Sequence, residues 1–179
     1  MNVLLHICCG PCLIYPLKSL NSQGFKAKGF FYNPNIHPVS EYNRRKEAVA
    51  FLSNGLQLEV EYPEYMPLDF IQAIGTDLSA PQRCLHCWKM RLSRTALYAQ
   101  TNGFDAFTST LLVSPYQDQE SLKELGNQVA EEAKVGFYYE DFREGFRAAH
   151  DEARSKGIYC QKYCGCSFSE AERKVKVKK

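Results

Sequence analysis

Short apolar runs alternate with helical patterns along the whole chain, and that alternation restricts the fold more than any other feature. "MNVLLHI" reads as a buried strand that stops at the turn "CCGPC", and "LIYPLKSLNSQG" follows as a helix ending at a glycine. Pro16 is expected in the first turns of that helix, where proline is tolerated better than in the interior. "FKAKGFFYNPN" predicts a second strand closed by an Asn-Pro-Asn loop. "SEYNRRKEAVAFLSNG" predicts an amphipathic helix capped by Ser40, with Ala48, Phe51 and Leu52 on its apolar side. "LQLEVEYPEY" alternates like a half-buried strand, and "LDFIQAIG" suggests a short helix. "RCLHCWKMRLSRTALYAQTNG" predicts one long helix ending at Gly103, followed by the buried strand "FDAFTSTLLVSP". "SLKELGNQVAEEAKVG" is a helix, "FYYED" a short strand and "REGFRAAHDEARSKG" a last clear helix. The pattern predicts an α/β fold, with a mainly parallel sheet flanked by helices.

Residues 1–179 are expected to form a single α/β domain, with 173–179, "RKVKVKK", as a basic tail that is either flexible or an edge strand. In such a sheet ligands bind at the carboxyl ends of the strands. The first turn should therefore lie at the site, and "TSTLLVSP" should deliver Ser114 and Tyr116 to the same rim.

No stretch approaches the roughly 20 apolar residues of a membrane span. The N-terminus lacks a secretion signal, so an unprocessed, cytoplasmic protein is expected. In that compartment structural disulfides are rare, which points the eight cysteines towards metal binding or catalysis. A net charge of +2 is nearly neutral, so any nucleic-acid contact must come from local patches. Two are visible: Arg44, Arg45 and Lys46 in "NRRKE", and Lys89, Arg91 and Arg94 in "WKMRLSR". Most such charges are solvated helix faces. The second group extends directly from a cysteine turn and could reach phosphates around a substrate held there.

The cysteines fall into three groups: Cys8, Cys9 and Cys12; Cys84 and Cys87 in "CLHC"; and Cys160, Cys164 and Cys166 in "YCQKYCGC". A CxxC pair at a helix N-terminus directs two sulfurs at one centre, where the helix dipole favours thiolates. Four sulfurs from two loops suit a tetrahedral zinc or a [4Fe–4S] cluster. Adjacent Cys8 and Cys9 should not readily place both sulfurs on one zinc, which favours the larger cluster. "CGC" is either a dithiol/disulfide store for two electrons or a pair of further ligands or buried thiols.

Other residues carry weaker signals. His6 is a core residue or an acid, and His86 between the CxxC cysteines should face away from the site. Tyr32, Tyr116, Tyr159 and Tyr163 are core or rim residues, any of which could donate a proton or stack on a base. Asp118 is either a hard ligand or a helix-terminal acid.

The ordered motifs "HICCGPC", "RCLHCWKMRL", "FTSTLLVSPYQ" and "YCQKYCGC" resemble the epoxyqueuosine reductase QueH family over essentially the whole chain. Trp88 stands where tyrosine is expected in many relatives. The resemblance implies a Rossmann-like domain related to the nucleotide alpha-hydrolase group. It also implies cobalamin-independent reduction of the epoxide of epoxyqueuosine, in a tRNA anticodon, to the alkene of queuosine. By motif match, Cys8, Cys9, Cys84 and Cys87 would hold a [4Fe–4S] cluster, with an additional iron beside it. Cys164 and Cys166 would be the redox-active pair, recharged by an unidentified electron donor.

Three other classes compete. A zinc-stabilised nucleic-acid-binding module without catalysis would need a stronger basic surface and half as many cysteines. A metal-free thiol–disulfide oxidoreductase would leave Cys8 and Cys9 unexplained. An ATP-using enzyme of related fold would need a Gly-Ser-rich phosphate loop where this chain has "CCGPC".

Overall fold

The computed structural model describes residues 1–177, with side chains through Val175. Strand β1 (Asn2–His6) is followed by helix α1 (Gly10–Ser22), β2 (Lys26–Phe30), α2 (Val39–Gly55), β3 (Val60–Glu61) and α3 (Pro67–Ile74). Helix α4 (Gln82–Thr101), β4 (Ala106–Ser109), α5 (Gln119–Ala133), β5 (Gly136–Phe137), α6 (Phe146–Ser155) and α7 (Ser167–Val177) complete the order. The five strands form one sheet in the order β3-β2-β1-β4-β5, with every pairing parallel.

Strand β1 is central and Val3, Leu4 and Leu5 are fully buried, because helices cover both faces of the sheet. One layer packs Phe30, Trp88, Leu92, Ala96 and Phe107 between the sheet and α4. The other packs Leu13, Leu17, Leu20, Val49 and Leu52 of α1 and α2 against Leu5 and Phe31. The chain leaves the sheet to opposite sides after β1 and β4, so their carboxyl ends form the switch point where doubly wound folds bind ligands.

The structure corrects several local expectations. Helix α1 begins at Gly10, inside the cysteine turn, so Pro16 lies in the helix interior rather than in its first turns. Helix α2 starts at Val39 behind Pro38 without a side-chain cap, so Ser40 is a helical residue and not the N-cap. Its buried stripe runs through Glu41, Arg45, Ala48, Val49 and Leu52, whereas Phe51 is 66% exposed. The stripe mixes an ion pair with apolar residues, which an apolar-face reading misses. The strand predicted through "STLLVSP" ends at Ser109 and continues as a 3₁₀ turn, Thr110–Val113, with the Ser109 side chain accepting from the Leu111 amide. Only Gly136–Phe137 pairs as β5, so "FYYED" is mostly connection. The basic end is neither coil nor edge strand as far as Val177, but the last turns of α7. Lys178 and Lys179 lie outside the described residues.

Candidate metal and redox site

The cysteine turn at the end of β1 brings three sulfurs together. Cys9 is extended (φ −168°, ψ 167°) and Gly10 is already helical, so Cys12 sits one turn on and leans back over its predecessors. The sulfurs of Cys8, Cys9 and Cys12 lie within 4.8 Å of one another, a spacing that could hold a metal ion. Cys8 and Cys9 are only 3.7 Å apart at sulfur. The expectation that adjacent Cys8 and Cys9 would not readily place both sulfurs on one zinc therefore loses its geometric support.

Thr110, from the turn after β4, clamps this group across the switch point. Its hydroxyl accepts from the Cys8 amide at 2.9 Å and lies 3.2 Å from Cys8 Sγ, to which it donates. Contacts from Cys12, Cys9 and Thr110 hold the Cys8 thiol well below its ordinary pKa, against the opposing effect of burial. Cys12 is raised, chiefly by its contact with Cys8, and burial raises Cys9. Gln161 donates from Nε2 to Cys9 Sγ at 2.8 Å, reaching back 152 residues along the sequence.

A cavity of about 580 Å³ opens over the switch point. Its walls carry Cys8 and Cys12 from the first turn, Cys84 and Cys87 from the start of α4, and Cys164 and Cys166 from the C-terminal segment. All three cysteine groups thus meet at one place. Cys9 stays behind the wall, and Cys84 and Cys87 are not part of the 4.8 Å group. Burial raises the Cys84 thiol, and pushes the Cys87 thiol up to about 11.

The "CGC" turn precedes α7. Gly165 has φ +136°, and a Cβ there would stand 3.0–3.3 Å from Ile36, Asn35 and Arg45, so glycine is required on both counts. Cys164 is exposed and Cys166 is buried. Contact with Cys166 pulls the Cys164 thiol down to about 5 and pushes the Cys166 thiol up. The Ser169 amide also donates to Cys166 Sγ at 3.4 Å.

Arg45 docks this turn on α2. Its Nη1 donates to the Cys164 carbonyl (2.9 Å) and Nη2 to the Tyr163 carbonyl (3.0 Å), while Nε donates to Glu41 (2.8 Å). Tyr159 donates to the second Glu41 oxygen at 2.6 Å. The His37 amide donates to the Gly165 carbonyl, and the Tyr163 hydroxyl to the His37 carbonyl. Arg83, one residue before Cys84, holds α7 through a paired contact with Glu172 at 2.8 and 3.0 Å.

The remaining candidates separate cleanly. His6 is fully buried, with Nδ1 on Ser109 Oγ (2.8 Å) and Nε2 on the Tyr32 carbonyl (3.1 Å). Burial and the nearby Arg91 hold it neutral, with a pKa near 4, and it is a core residue. His86 faces away from the cavity onto Asp77. Asp118 caps α5 by accepting from the Ser121 amide at 2.7 Å. Tyr32 donates to Asp69. Ser114 and Tyr116 do reach the cavity, as does Trp88.

Of the cations, Arg44 lies over Tyr159, Lys46 over Tyr62 and Arg94 over Tyr32, while Lys89 faces Glu132. Arg91 is 4% exposed and points into the cavity rather than lying on an outer helix face. Thr110, Gln161 and the anchoring role of Arg45 and Arg83 carry no local sequence signal. The i,i+4 spacing of Glu41 and Arg45 was the one available hint.

A family model described as Epoxyqueuosine reductase QueH matches residues 3–172. The chain belongs to that family. An epoxyqueuosine reductase QueH of Dehalococcoides mccartyi is 36% identical over 173 residues, covering 96% of this chain and 94% of the relative. Another from Thermotoga maritima is 38% identical, covering 98% and 93%. The resemblance carried by the four motifs is thereby borne out. The fold is also shared with the solved structure of a predicted subunit of tRNA methyltransferase from Methanocaldococcus jannaschii. That likeness has a TM-score of 0.56 and 12% identity, and covers 86% of this chain and 74% of the other. It supports the Rossmann-like parallel α/β architecture and nothing about activity. Among the described residues no helix is long and apolar enough to cross a membrane.

Proposed function

We propose that the chain reduces the epoxide of epoxyqueuosine in the anticodon of a tRNA to the alkene of queuosine, without cobalamin. The observation that carries this reading is the meeting of three sequence-distant cysteine groups on one cavity at the sheet's switch point. Family membership supplies the substrate, because the relatives are named for that reaction.

The residues fit an iron–sulfur centre. The donor set is all sulfur, the Cys8 thiol is held well below its ordinary pKa, and Thr110 and Gln161 donate hydrogen bonds to sulfurs, as in known cluster sites. Cys8, Cys9, Cys84 and Cys87 would hold a [4Fe–4S] cluster, which supplies single-electron transfer when bound. Cys12 also lines the cavity and is available to an additional iron.

The overall reaction takes two electrons and two protons, breaks both bonds from carbon to the epoxide oxygen, and releases water. Oxidation of the Cys164–Cys166 pair to a disulfide supplies both electrons and, with Cys164 already a thiolate, the Cys166 proton; the second proton comes from solvent. Cys164 is the accessible thiol and Cys166 its buried partner, so an external electron donor would regenerate the pair through Cys164. Arg91 places a cation beside the cavity where anionic sulfur and oxygen are handled.

The test is anaerobic purification with iron and acid-labile sulfide analysis, followed by nucleoside mass spectrometry of epoxyqueuosine tRNA incubated with enzyme and a chemical reductant. Iron with matching sulfide and conversion to queuosine is the expected result. Zinc without sulfide, and no conversion, would overturn the reading in favour of a structural zinc module.

A further inference from the structure

The cavity has an aromatic rim that neither the metal centre nor the dithiol uses. Tyr116, on the loop after β4, is 84% exposed although it lines a cavity. Its ring stands edge-on to Phe146, with centroids 5.9 Å apart and planes at 85°. Phe146 in turn packs on His150 at 4.3 Å and 41°. The three rings form a row along α6, from the solvent-facing mouth inwards, on the same wall system as Cys8 and Cys12.

Two further observations point to a ligand on this row. His150 lines the cavity, and its Nε2 is buried without a hydrogen bond among the described residues. Burial also favours the neutral ring, which can offer that nitrogen to a donor or an acceptor. The cavity also carries Lys162 and Arg173, neither of which makes an ion pair among the described residues, as well as the buried Arg91. An exposed aromatic ring on the same cavity as these cations matches the chemistry of single-stranded nucleic acid, where bases stack on π-faces and phosphates seek Lys and Arg.

We propose that the Tyr116–Phe146–His150 row is the platform on which a splayed nucleobase of the RNA substrate stacks as it enters the cavity. This rests on the function proposed above and assigns its base-binding surface. The base lies on the free face of Tyr116, Phe146 fixes the angle of that ring, and His150 meets a polar edge. Lys162 and Arg173 face the flanking phosphates. Stacking needs a flat π-face rather than a hydroxyl, so the phenol oxygen of Tyr116 is dispensable.

The test uses the metal-loaded enzyme and an anticodon stem-loop RNA with 2-aminopurine at the wobble position, read by fluorescence quenching and titration. Tyr116→Ala should weaken binding by about tenfold or more and abolish the quenching. Tyr116→Phe and Tyr116→Trp should keep both. The slope of log affinity against log salt should stay unchanged for Tyr116→Ala, and should become shallower for Lys162→Ala or Arg173→Ala, because only those remove phosphate contacts.

Because Tyr116 is exposed, its iron content and melting temperature provide a fold control. Wild-type affinity and quenching in Tyr116→Ala, with reductase activity present in the wild type, would overturn the platform alone. A wild-type enzyme that neither binds the RNA nor converts epoxyqueuosine would overturn the proposed function and the platform together.

Discussion

Replacing Arg45 by methionine removes the cation that ties the "CGC" turn to α2, while keeping a side chain of comparable length. Arg45 is 2% exposed and its Glu41 partner 7%, so the pair is shielded from solvent. The substitution leaves the Glu41 carboxylate with Tyr159 alone, and strips the Tyr163 and Cys164 carbonyls of the donors they have at 3.0 and 2.9 Å. Breaking a buried pair from one side costs about 3–5 kcal/mol, because the surviving charge has been taken out of water without compensation. At roughly 2–4 °C per kcal/mol for a domain of this size, the melting temperature should fall by about 6–20 °C. Arg45→Lys should lose less, since it retains the charge but not the planar fork that spans two carbonyls. The double change Arg45→Met with Glu41→Leu should recover part of the loss by removing the stranded carboxylate. Calorimetry on anaerobic protein of equal metal content measures all three. A single variant within about 1 kcal/mol of wild type would refute the view that this pair anchors the turn, as would a double variant less stable than the single one by the full cost of the Glu41 change.

Other expectations follow from the site. Thr110→Val keeps the shape but leaves the Cys8 amide without its acceptor, and should cost about 1–3 kcal/mol in chemical denaturation; an unchanged midpoint would remove that hydrogen bond from the account. Under mild iodoacetamide treatment of the reduced protein, peptide mapping should find Cys164 modified well before Cys166, which is 4% exposed. The lowered Cys164 pKa of about 5 means its thiolate persists as pH falls from 8 to 6, where a thiol of ordinary pKa would lose most of its reactivity; a rate that drops in proportion to proton concentration over that range would contradict the assignment. Cys84→Ala should lose iron, visible absorption and reductase activity together, while Cys166→Ser should keep the absorption and stop after at most one turnover. Continued turnover in Cys166→Ser would exclude the dithiol from the electron path.

The order of strands and helices, and with it the parallel sheet, was legible because apolar runs alternate with helical periods, and the central strand β1, covered on both faces, keeps a near-continuous apolar run. The same logic located the cysteine turn at the carboxyl end of β1. Chemistry was legible where it concentrated in a few unusual residue types, since three cysteine groups and a "CGC" turn are improbable as packing. Prediction failed at ends and edges. The 3₁₀ turn at Thr110 reads like more strand because its residues are as buried as those of β4. The buried stripe of α2 was misplaced because Glu41 and Arg45 read as solvated charges until Tyr159 and the Tyr163–Cys164 carbonyls are brought to them.

The sequence by itself thus determined the α/β alternation, the family and the cysteines that matter, because periodicity and rare residue types are local properties of the chain. Only the tertiary structure decided that the Cys8 and Cys9 sulfurs converge, that Cys12 joins them, and that Thr110 and Gln161 hold them. It alone turned Arg45 from a surface charge into an anchor and set Tyr116 beside Phe146 and His150. Those contacts join residues up to 152 positions apart, and their partners exist only once the sheet has brought the strand ends to one rim.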